Sequence, residues 1–217
     1  MTISGNPALP SSLGASVEGL ECGTLEHILD HGLNMATWRR SPVPELCQEL
    51  THLDREWAVT IRLNTAVTNV DVTLTRALCS AGLNAAALAR WIADMSGLVG
   101  VFAGIAGKSS LQPRLEAMDD TMCPRFHVDR NDLRLLCAYR GPATQWLTNS
   151  QVDRQALASG RPNEDVMRVG PAQRLEPFWV GIMKGNRFPG NNGSGLVHRS
   201  PPVENLAETR ILFCLDA

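Results

Sequence analysis

The spacing of apolar residues changes character about halfway along this chain of 217 residues. In the first half, apolar positions recur every three or four residues in some segments, which indicates helices, and at every second residue in others, which indicates half-buried strands. These patterns predict, in order, a helix at 23–30, a strand at 33–38, a helix at 42–54, a strand at 58–67 and two helices within 71–105 that are broken near Gly82. Residues 19–113 are therefore expected to form an α/β support layer.

From Arg114 onwards, short β-like runs are separated by turns rich in Gly, Pro and Asn. The predicted strands lie at residues 122–129, 133–139, 145–147, 178–183, 196–199 and 210–215. Short strands at this spacing favour a β-sandwich or barrel over β-α-β units. The polar segment 151–176 between them is either a lid or binding loop, or a plain surface insertion. Residues 114–217 are thus expected to be the β-rich core of a single domain spanning 19–217, preceded by a disordered lead at 1–18.

Charge and hydropathy narrow the choice of partners. The chain has 20 Lys and Arg against 22 Asp and Glu, a formal net charge of −2, so no overall positive field favours nucleic acid or an acidic membrane surface. The longest apolar stretch, 98–106, is interrupted by glycines and is well short of the ~20 residues of a membrane span. The first residues also lack the pattern of a secretory signal. We therefore expect a cytoplasmic protein that acts on a small molecule or a peptide, without nucleic acid or membrane, and with a homodimer as a possible assembly.

The β-rich half contains a candidate metal site. His127 and Asp129 are two residues apart on a predicted strand, so their side chains project from one face, and the distant His198 can complete a set of three ligands. Two histidines and one carboxylate form the ligand set of non-haem iron enzymes, and zinc sites use the same residue types. The chain supplies its own control, because the sequence from His52 to Asp54 has the same spacing in a helical pattern. Residues two apart on a helix point in different directions, so this copy is expected to be inert.

Because alternate residues of a strand lie on the same face, the prediction of a shared face extends to the residues that precede His127. Cys123 and Arg125 fall on the same face as His127. Arg125 is either a substrate-binding residue or a structural partner of an acidic side chain, because burying it without a partner costs free energy. Cys123 is the one cysteine of six that is expected near a metal; the others form no CxxC pair and are mostly expected to be buried free thiols. Trp146 either walls the pocket or fills the core, where large aromatic side chains are common.

Five segments carry a resemblance to a known superfamily. They are Met122-Cys-Pro-Arg-Phe-His-Val-Asp129, Leu133-Arg-Leu-Leu-Cys-Ala-Tyr-Arg-Gly-Pro-Ala-Thr144, Val180-Gly-Ile-Met-Lys-Gly185, Val197-His-Arg-Ser-Pro-Pro-Val203 and Arg210-Ile-Leu-Phe213. In this order they resemble the motifs of the iron(II)/2-oxoglutarate-dependent oxygenases, especially the prolyl-hydroxylase-like and phytanoyl-hydroxylase-like branches. This resemblance covers residues 114–217. More narrowly, the chain from about residue 20 to its end resembles a bacterial family defined as a domain of unknown function.

The resemblance implies an α+β protein with a double-stranded β-helix, a jelly-roll-like or cupin-like barrel, flanked by N-terminal helices. His127, Asp129 and His198 would be the ligands of iron(II), and 2-oxoglutarate would be the co-substrate. The implied activity is that of a dioxygenase, an oxidoreductase that oxidises a small-molecule or peptide substrate.

The resemblance also implies a basic residue that holds the far carboxylate of 2-oxoglutarate. Arg210 lies near the expected distance after His198, and its planar guanidinium suits a carboxylate. Other branches take this residue from an earlier strand, which makes Arg134 and Arg140 rivals. Tyr139 is expected to hydrogen-bond a co-substrate. Arg199 directly follows the distal histidine and is expected to face away from the metal.

A second function, of a different class, uses the same three ligands. A non-catalytic accessory protein of metal homeostasis would hold zinc on these residues, with or without the thiolate of Cys123. Thiolate ligation without binding of a 2-oxo acid would favour this alternative.

Overall fold

The structure of the protein is a computed structural model, and it describes residues 15–54, 57–203 and 209–217. The strands are β1 (Ala15–Gly19), β2 (Leu33–Trp38), β3 (Val59–Arg62), β4 (Thr65–Ala66), β5 (Ser110–Leu111), β6 (Arg114–Met118), β7 (Leu133–Arg140), β8 (Gln145–Leu147), β9 (Gln173–Arg174), β10 (Val180–Lys184), β11 (Val197–Arg199) and β12 (Arg210–Asp216). The α-helices are α1 (Pro44–Leu50), α2 (Val70–Ser80), α3 (Ala89–Ala106), α4 (Arg154–Ala158) and α5 (Asn163–Val166). Single turns of 3-10 helix lie at Val67–Asn69, Ala85–Leu88 and Asn149–Gln151, with a longer one at Cys22–Leu29.

These strands form two sheets that matter for the site, in a mixed α+β fold. The larger sheet has seven strands in the order β1-β2-β10-β7-β12-β6-β3, and the smaller has three in the order β11-β8-β9. Neighbouring strands are antiparallel, except for the parallel pair of β1 and β2. Strands β4 and β5 form a separate short pair.

Strand β7 shows how the seven-stranded sheet separates two apolar clusters. Leu135 and Cys137 belong to the cluster that the sheet shares with the helices, whereas Leu136 and Ala138 belong to the cluster on the other side. This split follows from the alternation of side chains along a strand. The second cluster also contains Trp146 of β8, so it lies between the seven-stranded and the three-stranded sheet.

The outer face of the three-stranded sheet is covered as well. Leu147 of β8 and Val197 of β11 pack in a third cluster with Val152 and Val166, which lie in or beside the short helices of the segment predicted as a loop. That segment, 151–176, therefore packs against the sheet. The layers run from the helices to the seven-stranded sheet, then the three-stranded sheet, and then this segment.

Several predicted elements are confirmed. Strands β2 and β8 lie at the predicted residues, and helices α2 and α3 are separated where the break was predicted. Gly82 has a φ of 83°, a left-handed conformation that glycine adopts without strain and that ends α2.

Two predictions about the backbone are wrong. Residues 122–129 do not form a strand: within them only His127 pairs, in an isolated bridge with His198. Pro124 has no N–H to donate, and the N–H of Phe126 donates to the side chain of Asn163 at 2.8 Å, so a ladder cannot extend along this segment. The disordered lead was predicted to reach residue 18, but residues 15–18 are part of β1, which pairs with the free edge of β2. Residues 1–14 of that lead lie outside the described residues.

The apolar segment that includes α3 is longer than the sequence analysis expected. Residues Ala85–Ala106 reach a mean hydropathy of 1.3 over a window long enough for a membrane span, with 44% of that window buried. Trp91, Met95 and Phe102 of this helix are fully buried in the cluster that it shares with the seven-stranded sheet. Core helices have the same length and composition, so this feature alone does not indicate a membrane protein.

Candidate metal centre

The structure brings the three predicted ligands together. His198 lies on β11, and the N–H of His198 and that of His127 each donate to the carbonyl of the other at 3.0 Å. Asp129 follows two residues later, and its carboxylate oxygens lie 3.3 Å from His198 Nε2 and 3.7 Å from His127 Nε2. One candidate ligand atom from each residue lies within 4.8 Å of the other two. Metal bonds of about 2.1 Å place neighbouring ligand atoms roughly 3–3.5 Å apart, so these distances suit a shared cation.

Both histidines are held in the tautomer that a metal ligand needs. Nδ1 of His127 donates to the carbonyl of Arg125 at 2.9 Å, and Nδ1 of His198 donates to the carbonyl of Leu196 at 3.2 Å. When the rings are neutral, each Nε2 carries the lone pair and faces Asp129. Metal-bound histidines commonly use their second nitrogen in this way, because the bond fixes the orientation of the ring. The donor set of this chain therefore fits a divalent cation.

The surroundings of the site lower the pKa values of Asp129 and His127. Burial raises the pKa of Asp129, but the hydrogen bond and charge of His198, with the charges of Arg134 and His127, outweigh it and hold this pKa at about 2. Burial and the neighbouring His198 lower the pKa of His127. A carboxylate and neutral imidazoles are the forms that coordinate cations.

A cavity of about 310 Å³ opens onto all three ligands. Its mouth carries the exposed side chains of Arg62, Met122 and Cys123, and its deep end is lined by buried residues such as Thr144 and Leu212. The cavity thus leads from solvent to the metal ligands and on between the two sheets.

Arg125 does not point into this cavity. Its exposed guanidinium donates to the carbonyls of Gly160 and Arg161, the latter at 3.0 Å, and so ties the loop after α4 to this part of the chain. The predicted shared face with His127 is wrong because this segment is not a strand. Only its backbone contacts the candidate ligands in the described contacts, through the carbonyl that accepts the hydrogen bond from Nδ1 of His127.

Tyr139 and Trp146 are both core residues. Tyr139 lies on the helix side of β7, where its hydroxyl donates to Asp94 and its ring packs 5.8 Å from that of Trp91. The prediction that it meets a co-substrate is wrong, because odd-numbered positions of β7 face away from the three-stranded sheet. Trp146 is 4% exposed between the two sheets, paired with His198 across the β8–β11 ladder. It supports the strand that carries this ligand, and it does not line the cavity.

The three arginines considered for 2-oxoglutarate lie in different surroundings. Arg134 lines the cavity, but its guanidinium forms ion pairs with Asp129 at 2.7 Å and with Asp216 at 2.6 Å. Arg140 donates to the carbonyls of Thr209 at 2.9 Å and Asp54 at 3.2 Å and does not line the cavity.

Arg210 is the most deeply buried of the three, with 1% of its surface exposed. Its Nε donates to the carbonyl of Pro142 at 2.6 Å, and one Nη lies 3.5 Å from the hydroxyl of Thr144. Thr144 lines the cavity, whereas Arg210, like Arg140, does not. Among the described residues, no carboxylate lies within ion-pair distance of this guanidinium.

The sequence analysis missed two charged cavity residues, Arg114 and Glu116. Arg114 and Glu116 lie on β6, which was not predicted, and Arg114 Nε lies 2.9 Å from Glu116 Oε1. The signal was present, since polar Arg114 and Glu116 alternate with apolar Leu115 and Ala117. Arg199 borders the cavity at its rim, but its guanidinium packs on Phe126 and Gln145 at the outer face of the three-stranded sheet, so it faces away from the metal ligands as expected.

The cysteines only partly follow the prediction. Cys137 and Cys214 are buried, whereas Cys79 is exposed and Cys22 and Cys47 are half-buried. Cys123 is exposed at the cavity mouth, near the metal ligands, but it is not part of the cluster that could hold an ion.

The fold and the three convergent ligands define an α+β protein with a candidate mononuclear metal centre. Residues 20–216 match the family model described as "Protein of unknown function (DUF1826)", and the chain belongs to that family. A sequence comparison with curated proteins gives no match.

Comparison with solved structures gives distant similarities. Dioxygenase for auxin oxidation 1 from Arabidopsis thaliana, in a complex with 2-oxoglutarate, is similar over 93% of this chain and 91% of that chain, with 9% identity and a TM-score of 0.48. A prolyl-4-hydroxylase from Pseudomonas putida is similar over 90% and 97%, with 11% identity and a TM-score of 0.45. The rice dioxygenase for auxin oxidation is similar over 83% and 72%, with 12% identity and a TM-score of 0.43. Similarities at this level do not by themselves assign a function.

Proposed function

We propose that the protein is a non-haem iron(II)-dependent oxygenase that uses 2-oxoglutarate, built on a double-stranded β-helix. The observation that carries this proposal is the convergence of His127 and His198 on the carboxylate of Asp129, with both Nδ1 atoms bonded to backbone carbonyls. Two histidines and a carboxylate leave open coordination positions on iron, as an oxygenase requires. The order of the sequence motifs and the two facing sheets support the proposal.

The residues of the chain would perform distinct tasks in this reaction. Ferrous iron, when bound, would supply the redox chemistry with dioxygen, and His127, Asp129 and His198 would hold it. Arg134 restrains the carboxylate of Asp129 through its contact at 2.7 Å. Leu136 and Leu212 line the deep end with apolar surface, which keeps water away from the reacting atoms.

We assign the far carboxylate of 2-oxoglutarate to Arg210. Burial lowers the pKa of Arg210 to about 10, against the opposing charge of Glu116, and its described hydrogen bonds go only to neutral acceptors. A buried cation without a close counter-ion is costly, and a carboxylate bound in the fork of the guanidinium would offset that cost. The hydroxyl of Thr144, at the cavity wall, lies beside this position. Arg134 and Arg140 are less suitable because their donors are already engaged.

Anaerobic titration with ferrous iron tests the metal site. The protein of residues 1–217 should bind one equivalent, and His198→Ala should bind none while keeping its circular dichroism spectrum, since it removes one of three ligands. His52→Ala is the matched control, because this exposed histidine belongs to the other His-x-Asp sequence of the chain. Equal loss of binding in both variants, or retention of full binding in His198→Ala, would contradict the proposed site.

Addition of 2-oxoglutarate to the iron-loaded protein tests the co-substrate. The proposal expects a weak visible charge-transfer band, and Arg210→Ala should weaken the apparent affinity for 2-oxoglutarate while iron stays bound. Arg140→Ala is the matched control and should leave that affinity unchanged. The assignment is wrong if Arg140→Ala weakens the affinity and Arg210→Ala does not. Tight zinc binding without any response to 2-oxoglutarate would favour the accessory protein of metal homeostasis.

A further inference from the structure

Asp216 and Arg134 form a cross-strand pair beside the metal centre. They are register partners on the antiparallel strands β12 and β7, so their side chains lie on the same face of the seven-stranded sheet. Leu136, two residues after Arg134 on β7, shows that this face is turned towards the three-stranded sheet and the cavity. The carboxylate of Asp216 accepts hydrogen bonds from Nε of Arg134 at 2.6 Å and from Nη2 at 3.1 Å. This bidentate contact holds one edge of the guanidinium and fixes its plane.

The third nitrogen of the same guanidinium faces the metal ligand Asp129. Nη1 of Arg134 lies 2.7 Å from Asp129 Oδ2. Solvent has little access to this ion pair, because 18% of the Arg134 side chain and 12% of the Asp129 side chain are exposed. A charge that is poorly screened acts strongly on its neighbour, so the placement of the guanidinium matters for Asp129. Arg134 thus connects Asp216 to a ligand of the metal centre.

Asp216 is itself held in place. The side-chain amide of Asn131 donates to Asp216 Oδ1 at 2.6 Å, and the pairing of β12 with β7 anchors its backbone. Arg114 also lies near this carboxylate, at 3.8 Å, but it has a closer partner in Glu116 at 2.9 Å. Arg134 is therefore the main cationic partner of Asp216.

We propose that Asp216 is a positioning residue of the metal centre, which holds Arg134 against Oδ2 of Asp129 and so restricts the carboxylate to one ligand oxygen. The oxygen that remains is Oδ1, which lies 3.7 Å from Nε2 of His127. Residues that orient a metal ligand typically contribute about 10–100-fold to the affinity for the metal. A single ligand oxygen also keeps coordination positions open for a co-substrate, and this part of the inference rests on the proposed function.

Titration of the metal-free protein with cobalt(II) tests the inference, because the visible absorption of this ion reports both its binding and its coordination geometry. Asp216→Asn should bind cobalt(II) about tenfold or more weakly, since an amide has no charge and only one acceptor oxygen for the guanidinium. The absorption band of the bound ion should also change, because Asp129 is then free to offer both oxygens.

Asp165→Asn is the matched control for the loss of a carboxylate. Asp165 also pairs with an arginine, Arg161 at 2.8 Å, but both residues are exposed and neither lines the cavity. This variant should match the unaltered protein in its affinity for cobalt(II) and in the absorption of the bound ion.

A double variant separates a positioning role from a general effect on the fold. In an Arg134→Gln background, Asp216→Asn should change the affinity for cobalt(II) by less than about twofold, because the partner through which Asp216 acts is already absent. Arg134→Lys keeps the charge but cannot be held along one edge, so it should weaken binding by about tenfold. Urea unfolding shows whether each variant folds, and Arg134→Lys decides the outcome if Asp216→Asn does not.

Four results would overturn the inference. They are unchanged affinity and absorption in folded Asp216→Asn, the same loss in Asp216→Asn and Asp165→Asn, a loss from Asp216→Asn that is equally large in the Arg134→Gln background, or unchanged binding in Arg134→Lys. If the unaltered protein binds cobalt(II) no better than His198→Ala, the proposed metal centre fails and the inference with it. Failure of the iron-loaded protein to develop the 2-oxoglutarate band would count against the proposed function alone.

Discussion

The thiol of Cys123 distinguishes an oxygenase centre from a thiolate-bound zinc site. It is exposed at the cavity mouth, but the ligand cluster consists of His127, Asp129 and His198. A cysteine that coordinates zinc is deprotonated and blocked towards thiol reagents. The reactivity of Cys123 in the presence of zinc therefore reports directly on the ligand set.

Thiol labelling of the native protein makes this test quantitative. We expect Cys79 and Cys123 to react readily, whereas burial raises the pKa of Cys137 to about 11 and that of Cys214 to about 12 and slows both. In a Cys79→Ser variant, stoichiometric zinc should leave the labelling rate of Cys123 unchanged. Strong protection of Cys123 by zinc would mean that the thiolate is a ligand and would favour the accessory protein.

The convergence of His127, Asp129 and His198 could be predicted from the sequence, but the orientation of Tyr139 could not. His127 and Asp129 project together because the chain is extended locally, even though no ladder forms beyond one bridge. The orientation of β7 is not encoded in its own pattern, because Leu135 and Leu136 are both buried, on opposite faces. In a strand that is buried on both faces, apolar and polar residues do not alternate, so the sequence does not show which face a residue lies on. The face on which Tyr139 lies depends instead on where the three-stranded sheet packs.

The connection between β10 and β11 holds the segment that carries Asp129. The N–H of Asn186 donates to the carbonyl of Asp129 at 2.9 Å, and the N–H of Gly195 donates to the side chain of Asn186 at 3.1 Å. A Cβ at Gly195 would contact Val128 and would lie 2.9 Å from the carbonyl carbon of Gly185. The absence of a side chain at this position thus lets the two loops pack closely beside the metal centre.

Gly195→Ala should therefore disturb the site. Overpacking against backbone typically costs about 1–3 kcal/mol, and displacement of Val128 would move the adjacent Asp129, so we expect lower stability in urea unfolding together with weaker binding of ferrous iron. Gly97→Ala is the control, because this exposed glycine of α3 has open space around it. That change should keep iron binding and raise stability by up to about 1 kcal/mol, the difference in helix propensity. Unchanged iron affinity in Gly195→Ala would show that this connection does not position the ligand.

Elements were predictable where local signals decide them. Gly82 ends α2 through its own backbone conformation, and β2 follows its apolar pattern. The segment 122–129 has the composition of a strand, but the N–H of Phe126 donates to the side chain of Asn163, which lies 37 residues later in the sequence. This N–H is therefore not available to a neighbouring strand. Such a tertiary contact has no local signature in the sequence.

The two halves of the chain are joined in one sheet. Strands β2 and β3 come from the predicted support layer and β1 lies mostly in the predicted lead, yet these strands flank β10, β7, β12 and β6 from the β-rich half. The apolar residues Leu135 and Phe213 of the β-rich half are completely buried under helices from the first half. The spacing of apolar residues changes near residue 114, but this change does not divide the hydrophobic core, because both halves of the chain contribute to it.

A fragment of residues 114–217 should consequently fail to fold alone. It would lack the strands that cover both edges of its sheet and the helices that cover one face, and exposed apolar edges favour aggregation. The expected result is no cooperative thermal transition and no binding of ferrous iron, whereas residues 15–217 should show both. A fragment that unfolds cooperatively and binds iron would show that the helical layer is dispensable.

Anomalous diffraction is the most direct test of the metal centre on which the proposed function depends. Crystals of the full-length protein, loaded anaerobically with ferrous iron, would be measured on both sides of the iron absorption edge. We expect one strong anomalous peak bonded to Nε2 of His127, Nε2 of His198 and the carboxylate of Asp129, and no peak there in His198→Ala crystals. Iron bound elsewhere, or bound without His198, would contradict the proposed centre.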